Sequence, residues 1–188
     1  MMNKKVFEFY KNPLIKQLEK SERTDFFRLL NATINYQGFC IQNGIYKKVA
    51  KILENNFRDN LIQHLVANPT IGGQIRKEAE ISGGKVEIEY KGFIIELKVE
   101  YTLSDRMKMV SKYESQAQSY ASGSSKLASI ICILDLTEKK HAPSPTINNI
   151  FLNQPKTHGF EDSEATLKPF QIFVFIDGNT KNPSDYSK

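Results

Sequence analysis

Lys85-Val86-Glu87-Ile88-Glu89-Tyr90-Lys91-Gly92-Phe93-Ile94-Ile95-Glu96-Leu97-Lys98-Val99-Glu100-Tyr101 is two runs of alternating apolar and polar residues with Lys91-Gly92 between them. A period of two is that of a half-buried strand, and a two-residue connection containing Gly is the tight turn of a β-hairpin. With Lys91-Gly92 at the turn, Tyr90 faces Phe93, Glu89 faces Ile94, Ile88 faces Ile95, and Glu87 falls directly opposite Glu96.

Toward the C-terminus the texture changes twice. Asp105 to Tyr120 has helical spacing, Ser122-Gly123-Ser124-Ser125 breaks it, and Leu127 to Leu136 is a nearly continuous apolar run of the kind buried on both faces. Strand, helix and buried strand in that order predict a βαβ crossover with two parallel strands, which places the Phe93 to Tyr101 strand inside a sheet. The stretch from Glu138 to Lys168, with Pro143, Pro145 and Pro155, reads as loop with at most short elements. Gln171 to Ile176 is a further buried strand, ended by Asp177-Gly178-Asn179. The tail beyond is turn chemistry with no assigned role.

Toward the N-terminus, Ser21 to Asn68 reads as two helices separated at Asn43-Gly44. Thr24-Asp25 is a plausible cap for the first. Val49, Ile52, Leu53, Phe57, Leu61 and Leu65 form the apolar face of the second, and Asn68-Pro69 with Gly72-Gly73 stops it. The expected organisation is an N-terminal helical extension over 1–45 and an α/β domain over 46–188, in one compact unit. A chain of 188 residues has room for one well-buried core.

Hydrophobic content of 40% with 25% charged residues excludes disorder over most of the chain. The net charge of +5 favours a polyanionic partner without deciding for one. Of the two cysteines, Cys132 lies inside the apolar run, so neither a disulfide framework nor a thiolate metal site is expected. No stretch approaches the roughly 18 apolar residues of a membrane span, and the polar N-terminus has no secretory h-region. A cytoplasmic, reducing compartment without membrane contact is the expectation.

Like charges directly opposite on paired strands destabilise a sheet, so Glu87 and Glu96 require either free solvation or a cation between them. A hard divalent ion such as Mg2+ is held by one or two carboxylates, with water and phosphate oxygens completing its shell. Alternation sets Lys98 on the same side as Glu96. There its ammonium can stabilise developing phosphate charge or position an attacking water. The competing reading makes Lys85, Glu87, Glu89, Glu96, Lys98 and Glu100 the wet face of an amphipathic hairpin. On the crossover helix, Gln116 and Tyr120 are four apart and share a face. With Tyr113, they are placed to reach phosphate or a base, or else they form an ordinary polar helix surface. Lys85 belongs to a scatter of basic residues, with Lys47, Lys48, Lys51, Arg58, Arg76, Lys77, Lys108, Lys112 and Lys126, that suits a phosphate-tracking groove. His64, His141 and His158 lack metal-ligand spacing and read as surface or loop residues. Asp135 ends a buried strand, where a functional residue or a turn cap is equally at home.

Taken in order, these segments resemble the PD-(D/E)XK nuclease superfamily, the restriction-endonuclease-like fold shared with RecB-like exonucleases. The likeness runs from about Lys48 to Leu136. It begins with Glu54-Asn55-Asn56-Phe57-Arg58-Asp59-Asn60-Leu61, similar to the acidic helix before the core. It continues through Arg76-Lys77-Glu78, Gly83-Gly84-Lys85-Val86-Glu87-Ile88 and Ile94-Ile95-Glu96-Leu97-Lys98, and closes with the Gln-x-x-x-Tyr pair Gln116 and Tyr120. The resemblance implies an α/β fold with a mixed central β-sheet flanked by helices. It implies Glu87 and Glu96 as ligands of Mg2+ or Mn2+, the Leu97 backbone carbonyl as a further ligand, and Lys98 as the catalytic lysine. Glu54 is then the helix carboxylate that can complete the metal shell, and Gln116, Tyr120 and Lys85 lie toward the nucleic acid, DNA more than RNA. The implied activity is phosphodiester hydrolysis, in a restriction or phage-defence setting, with a homodimer or partner subunit contacted through the N-terminal helices. One departure stands out: Glu87 occupies a position where the family usually has Asp. It points to the alternative of a catalytically inactive nuclease-fold module that binds nucleic acid or a protein partner.

Overall fold

The computed structural model describes residues 4–81, 84–123, 127–143, 145–155 and 167–181, the side chains of 4, 5, 78–81, 84–87, 115–123, 146 and 147 excepted. The described chain opens with two short helices, α1 (Lys4–Lys11) and α2 (Pro13–Lys16), where the sequence shows only a mixed polar segment. They are followed by the long helix α3 (Lys20–Asn43). Helix α3 begins before the expected Thr24-Asp25 cap. The Glu22 carboxylate reaches back to the Glu19 amide at 3.3 Å, closing a capping box with Glu19, and Thr24 spends its hydroxyl on the Lys20 carbonyl one turn earlier. Gly44 ends the helix in the left-handed conformation, φ 61°, which a residue without Cβ adopts at least cost.

Helix α4 (Glu54–Val66) starts later than the apolar spacing predicts. Val49 to Leu53 are not helical. Lys48 turns the chain at φ 52°. The Tyr101 hydroxyl then accepts from the Ile52 amide at 3.1 Å and donates to its carbonyl at 2.5 Å, occupying the backbone groups a helix would need.

Six strands form one mixed sheet: β1 (Ile75–Ile81), β2 (Gly84–Tyr90), β3 (Phe93–Glu100), β4 (Ala128–Asp135), β5 (Ile150–Asn153) and β6 (Phe170–Asp177), in the order β1-β2-β3-β4-β6-β5. Strands β1, β2 and β3 are antiparallel neighbours. Strands β3, β4 and β6 run parallel, and β5 closes the far edge antiparallel to β6. The hairpin has the expected register, Tyr90 with Phe93, Glu89 with Ile94 and Ile88 with Ile95. Its turn residues Lys91 (φ 50°) and Gly92 (φ 83°) both take positive φ, the signature of a type I′ turn. The crossover is helix α5 (Arg106–Gly123), and it makes β3 and β4 parallel. Strands β1 and β5 are additions to the expected set. The first is mostly polar, Ile75-Arg76-Lys77-Glu78-Ala79-Glu80-Ile81, and the second is four residues long inside the stretch that reads as loop.

The sheet is covered on both faces. Ile95, Leu97, Ile130, Cys132, Leu134, Ile172, Val174 and Ile176 share one continuous apolar cluster with Phe26, Leu29, Leu30, Tyr36, Phe57, Leu61 and Leu65 of α3 and α4. Ile131, Ile133, Phe173 and Phe175 meet Met109 and Val110 of α5. Because β-strand side chains alternate, the polar set Glu96, Lys98 and Glu100, aligned with Ile131, Ile133 and Asp135, lies on the α5 face.

Candidate active site

The wet-face reading of the hairpin fails at its described acids: Glu89, Glu96 and Glu100 are only 7%, 4% and 2% exposed. Each is buried for its own reason. Glu89 accepts the Gly92 amide of the turn at 2.5 Å and sits 3.6 Å from Arg76 on the neighbouring strand. Glu100 is the anchor of the chain entering α5. One oxygen accepts from the Tyr101, Thr102 and Leu103 amides and the Thr102 hydroxyl. The other accepts from Lys112 at 2.5 Å and Tyr113 at 2.8 Å. Burial would raise the Glu100 pKa. The Lys112 ammonium, these amides and the Tyr113 hydroxyl outweigh it and hold it at about 2. Tyr113 is therefore occupied inside the fold and is not free to reach a substrate.

Glu96 differs. Lys98 donates to Glu96 Oε1 at 2.7 Å, and the same Lys98 Nζ is 3.8 Å from Glu54 Oε1. Glu54 opens α4, which packs on β3 through the shared core. Two carboxylates from distant parts of the chain thus converge on one ammonium whose side chain is 12% exposed. At such a position charges are weakly screened, and each is worth more than at the open surface. Leu97, between them, is buried in the core, so its carbonyl belongs to the strand backbone beside Glu96. Comparisons with family models, curated proteins and solved structures give no match. The site therefore stands on its own geometry.

Of the remaining residues singled out by the sequence, Glu87 and Lys85 have their backbone in β2, one and three residues before Ile88, and Gln116 and Tyr120 have theirs in α5. Their side chains lie outside the described residues. Among the described side chains no three His, Cys, Asp or Glu groups gather as a metal site, and Glu87, the expected partner of Glu96, is not one of them. The donors that do converge, Glu54 and Glu96, are oxygens only, the chemistry a hard divalent ion selects. The softer ligands are elsewhere: Cys40 and Cys132 are buried thiols with pKa pushed up by burial. His64 is half-buried. It sits on α4 against the Tyr36 and Phe39 rings, each 5.1 Å away, and burial lowers its pKa.

A second group of buried charges includes Asp135, the one member that the sequence singles out. Arg106, the first residue of α5, bridges Asp135 at 2.8 Å and Asp177 at the ends of β4 and β6. Asn149 donates to Asp177 at 2.6 Å, and Lys139 reaches Asp135 at 2.8 Å. Asp135 also accepts from the Thr137 amide and hydroxyl at 2.9 and 2.6 Å. The turn-cap reading of Asp135 is thus borne out, while Asp177, read from the sequence as part of a turn without a role, locks the crossover helix to two strands. Its only sequence signal is its place at the end of an apolar run. Among the described residues, no helix is long and apolar enough to cross a membrane.

Proposed function

We propose that this chain is a Mg2+- or Mn2+-dependent nuclease of the restriction-endonuclease-like fold that hydrolyses phosphodiester bonds of nucleic acid, with DNA the favoured substrate. The observation that carries the reading is the convergence of Glu54 and Glu96 on Lys98, at 3.8 and 2.7 Å, where the resemblance sets its helix acid, its metal ligand and its lysine. The mixed sheet with an acidic helix ahead of it supports the same reading.

Glu96 and Glu54 would hold the ion, with Glu87 and the Leu97 carbonyl as the further ligands that the resemblance implies. A bound divalent ion supplies Lewis acidity toward the phosphoryl group. The protein's part is electrostatic and positional. Glu96, nearly buried, is fixed by the strand and by Lys98. The Lys98 ammonium, held between Glu96 and Glu54, would stabilise the charge developing on the phosphoryl oxygens and help to orient an attacking water. Because the side chain is rooted in an interior strand, little reorganisation accompanies the reaction.

Cleavage of plasmid and oligonucleotide substrates with Mg2+ or Mn2+ tests this. Glu96→Ala and Lys98→Ala should each lower the rate by about 10²-fold or more. Equal cleavage by both variants and the wild type would reject the assignment. The alternative, an inactive nuclease-fold module, is favoured by Glu87 in the usual place of Asp. It would appear in the same experiment as salt-sensitive nucleic-acid binding without cleavage.

A further inference from the structure

Beside Glu54 the surface opens into a groove of about 550 Å3 lined by Lys51, Ile52, Leu53, Asn56 and Asn60, a volume within the range of roughly 300 to 1,000 Å3 typical of small-ligand sites. Leu53, Asn56 and Asn60 are three and four residues apart and share one face of α4, while Phe57, Leu61 and Leu65 bury the neighbouring face. Leu53 is poorly explained by stability. It holds the N-cap position without a capping side chain, where Ser, Thr, Asp or Asn would add about 1 kcal/mol. It also leaves its apolar side chain 61% exposed. Both costs are local to the groove.

We propose that this groove binds one nucleotide of a single strand, next to the phosphodiester at Lys98, a proposal that rests on the nuclease reading above. The lining matches that ligand group by group. The Lys51 ammonium suits a phosphate, and Lys47 and Lys48, also exposed, continue the positive charge along the same loop. The Asn56 and Asn60 amides each offer a donor and an acceptor for a base edge, and Leu53 offers an apolar surface to a base face. The groove is also held in shape. Asn60 Nδ2 donates to the Tyr46 hydroxyl at 3.3 Å, which is 2.6 Å from the Tyr36 hydroxyl. Tyr101 ties Ile52 to the end of β3, three residues beyond Lys98. Groove wall and reactive strand therefore hold a fixed separation, as recognition beside a scissile bond requires.

Fluorescence anisotropy of the full chain with a labelled single-stranded 12-mer DNA in EDTA measures the binding without cleavage. Lys51, Leu53 and Asn56 are exposed, so their substitution leaves the core intact. Leu53→Ser and Asn56→Ala should each raise Kd by about tenfold. Lys51→Ala should reduce the slope of log Kd against log salt by roughly 0.7, the contribution of one phosphate contact on a single strand. No binding, or Kd and slope unchanged in all three variants, overturns the proposal. If the groove variants bind weakly but Lys98→Ala cleaves like the wild type, the groove stands and the nuclease assignment falls. If cleavage requires Lys98 while the groove variants bind and cleave normally, the groove proposal alone falls.

Discussion

Glu100 shows how differently neighbouring acids on one strand can be used. It is four residues from Glu96 on the same face, equally buried, and its oxygens are fully engaged by the loop it anchors and by Lys112 and Tyr113. Its pKa lies at about 2 when folded, below its usual 4.5. A carboxylate with a depressed pKa stabilises the folded state fully above about 4.5 and loses that contribution as pH falls toward about 2. Glu100→Gln should therefore cost about 1–3 kcal/mol near neutral pH. In denaturant titrations from pH 7 to 2, the difference between wild type and variant should shrink across that acid window. A difference independent of pH would show that the charge on Glu100 contributes nothing. Glu96, by contrast, is held by Lys98 at 2.7 Å, an ammonium that also lies 3.8 Å from Glu54.

At the scale of elements, legibility follows how local the cause is. The β2–β3 hairpin and its register were readable because alternation and Lys91-Gly92 are both short-range signals, and the β3-α5-β4 crossover because each part has its own period. Strand β1 was not readable. Its residues are polar, and it is a strand only because β2 supplies a partner edge. The start of α4 was misplaced because Tyr101, some fifty residues away, takes the Ile52 backbone. For the same reason Glu96 and Lys98 were legible as a pair while the meeting of Lys98 with Glu54 came only through resemblance, and Arg106 with Asp177 not at all. Gly72 is a further case. The sequence marks it only as a helix stop, yet a Cβ there would lie 2.1 Å from the Val66 carbonyl oxygen and 2.9 Å from its carbon. The end of α4 thus rests directly on the backbone leading into β1, and this contact fixes the helix that carries Glu54. Gly72→Ala should destabilise by about 1–3 kcal/mol. Gly73→Ala, where a Cβ meets nothing within 4 Å, should stay within about 0.5 kcal/mol. Thermal melts of the two variants decide it, and equal melting temperatures would dismiss the close approach.

Across the whole molecule, the boundary that the sequence suggests near residue 45 runs through a single core. Helix α3 lies wholly before that boundary, yet Phe26, Leu29, Leu30 and Tyr36 are fully buried in the cluster that contains the strands of the central sheet. The Phe26 ring is 5.3 Å from that of Phe93 at the start of β3 and 5.7 Å from that of Phe170 at the start of β6. Removing these four side chains from the core forfeits roughly 6–12 kcal/mol at 1.5–3 kcal/mol each, as much as the roughly 5–15 kcal/mol net stability of an ordinary domain. It also exposes the apolar face of β4 and β6, a surface prone to association. A chain of residues 46–188 should therefore lack a cooperative thermal transition and dispersed amide resonances. It should also lack any divalent-ion-dependent cleavage that the full chain has, since β3 would lose the packing that holds Glu96 and Lys98 against Glu54. A cooperative melt of that fragment, measured by circular dichroism, would instead mean that α3 is dispensable and that the sheet and α4 alone carry the site.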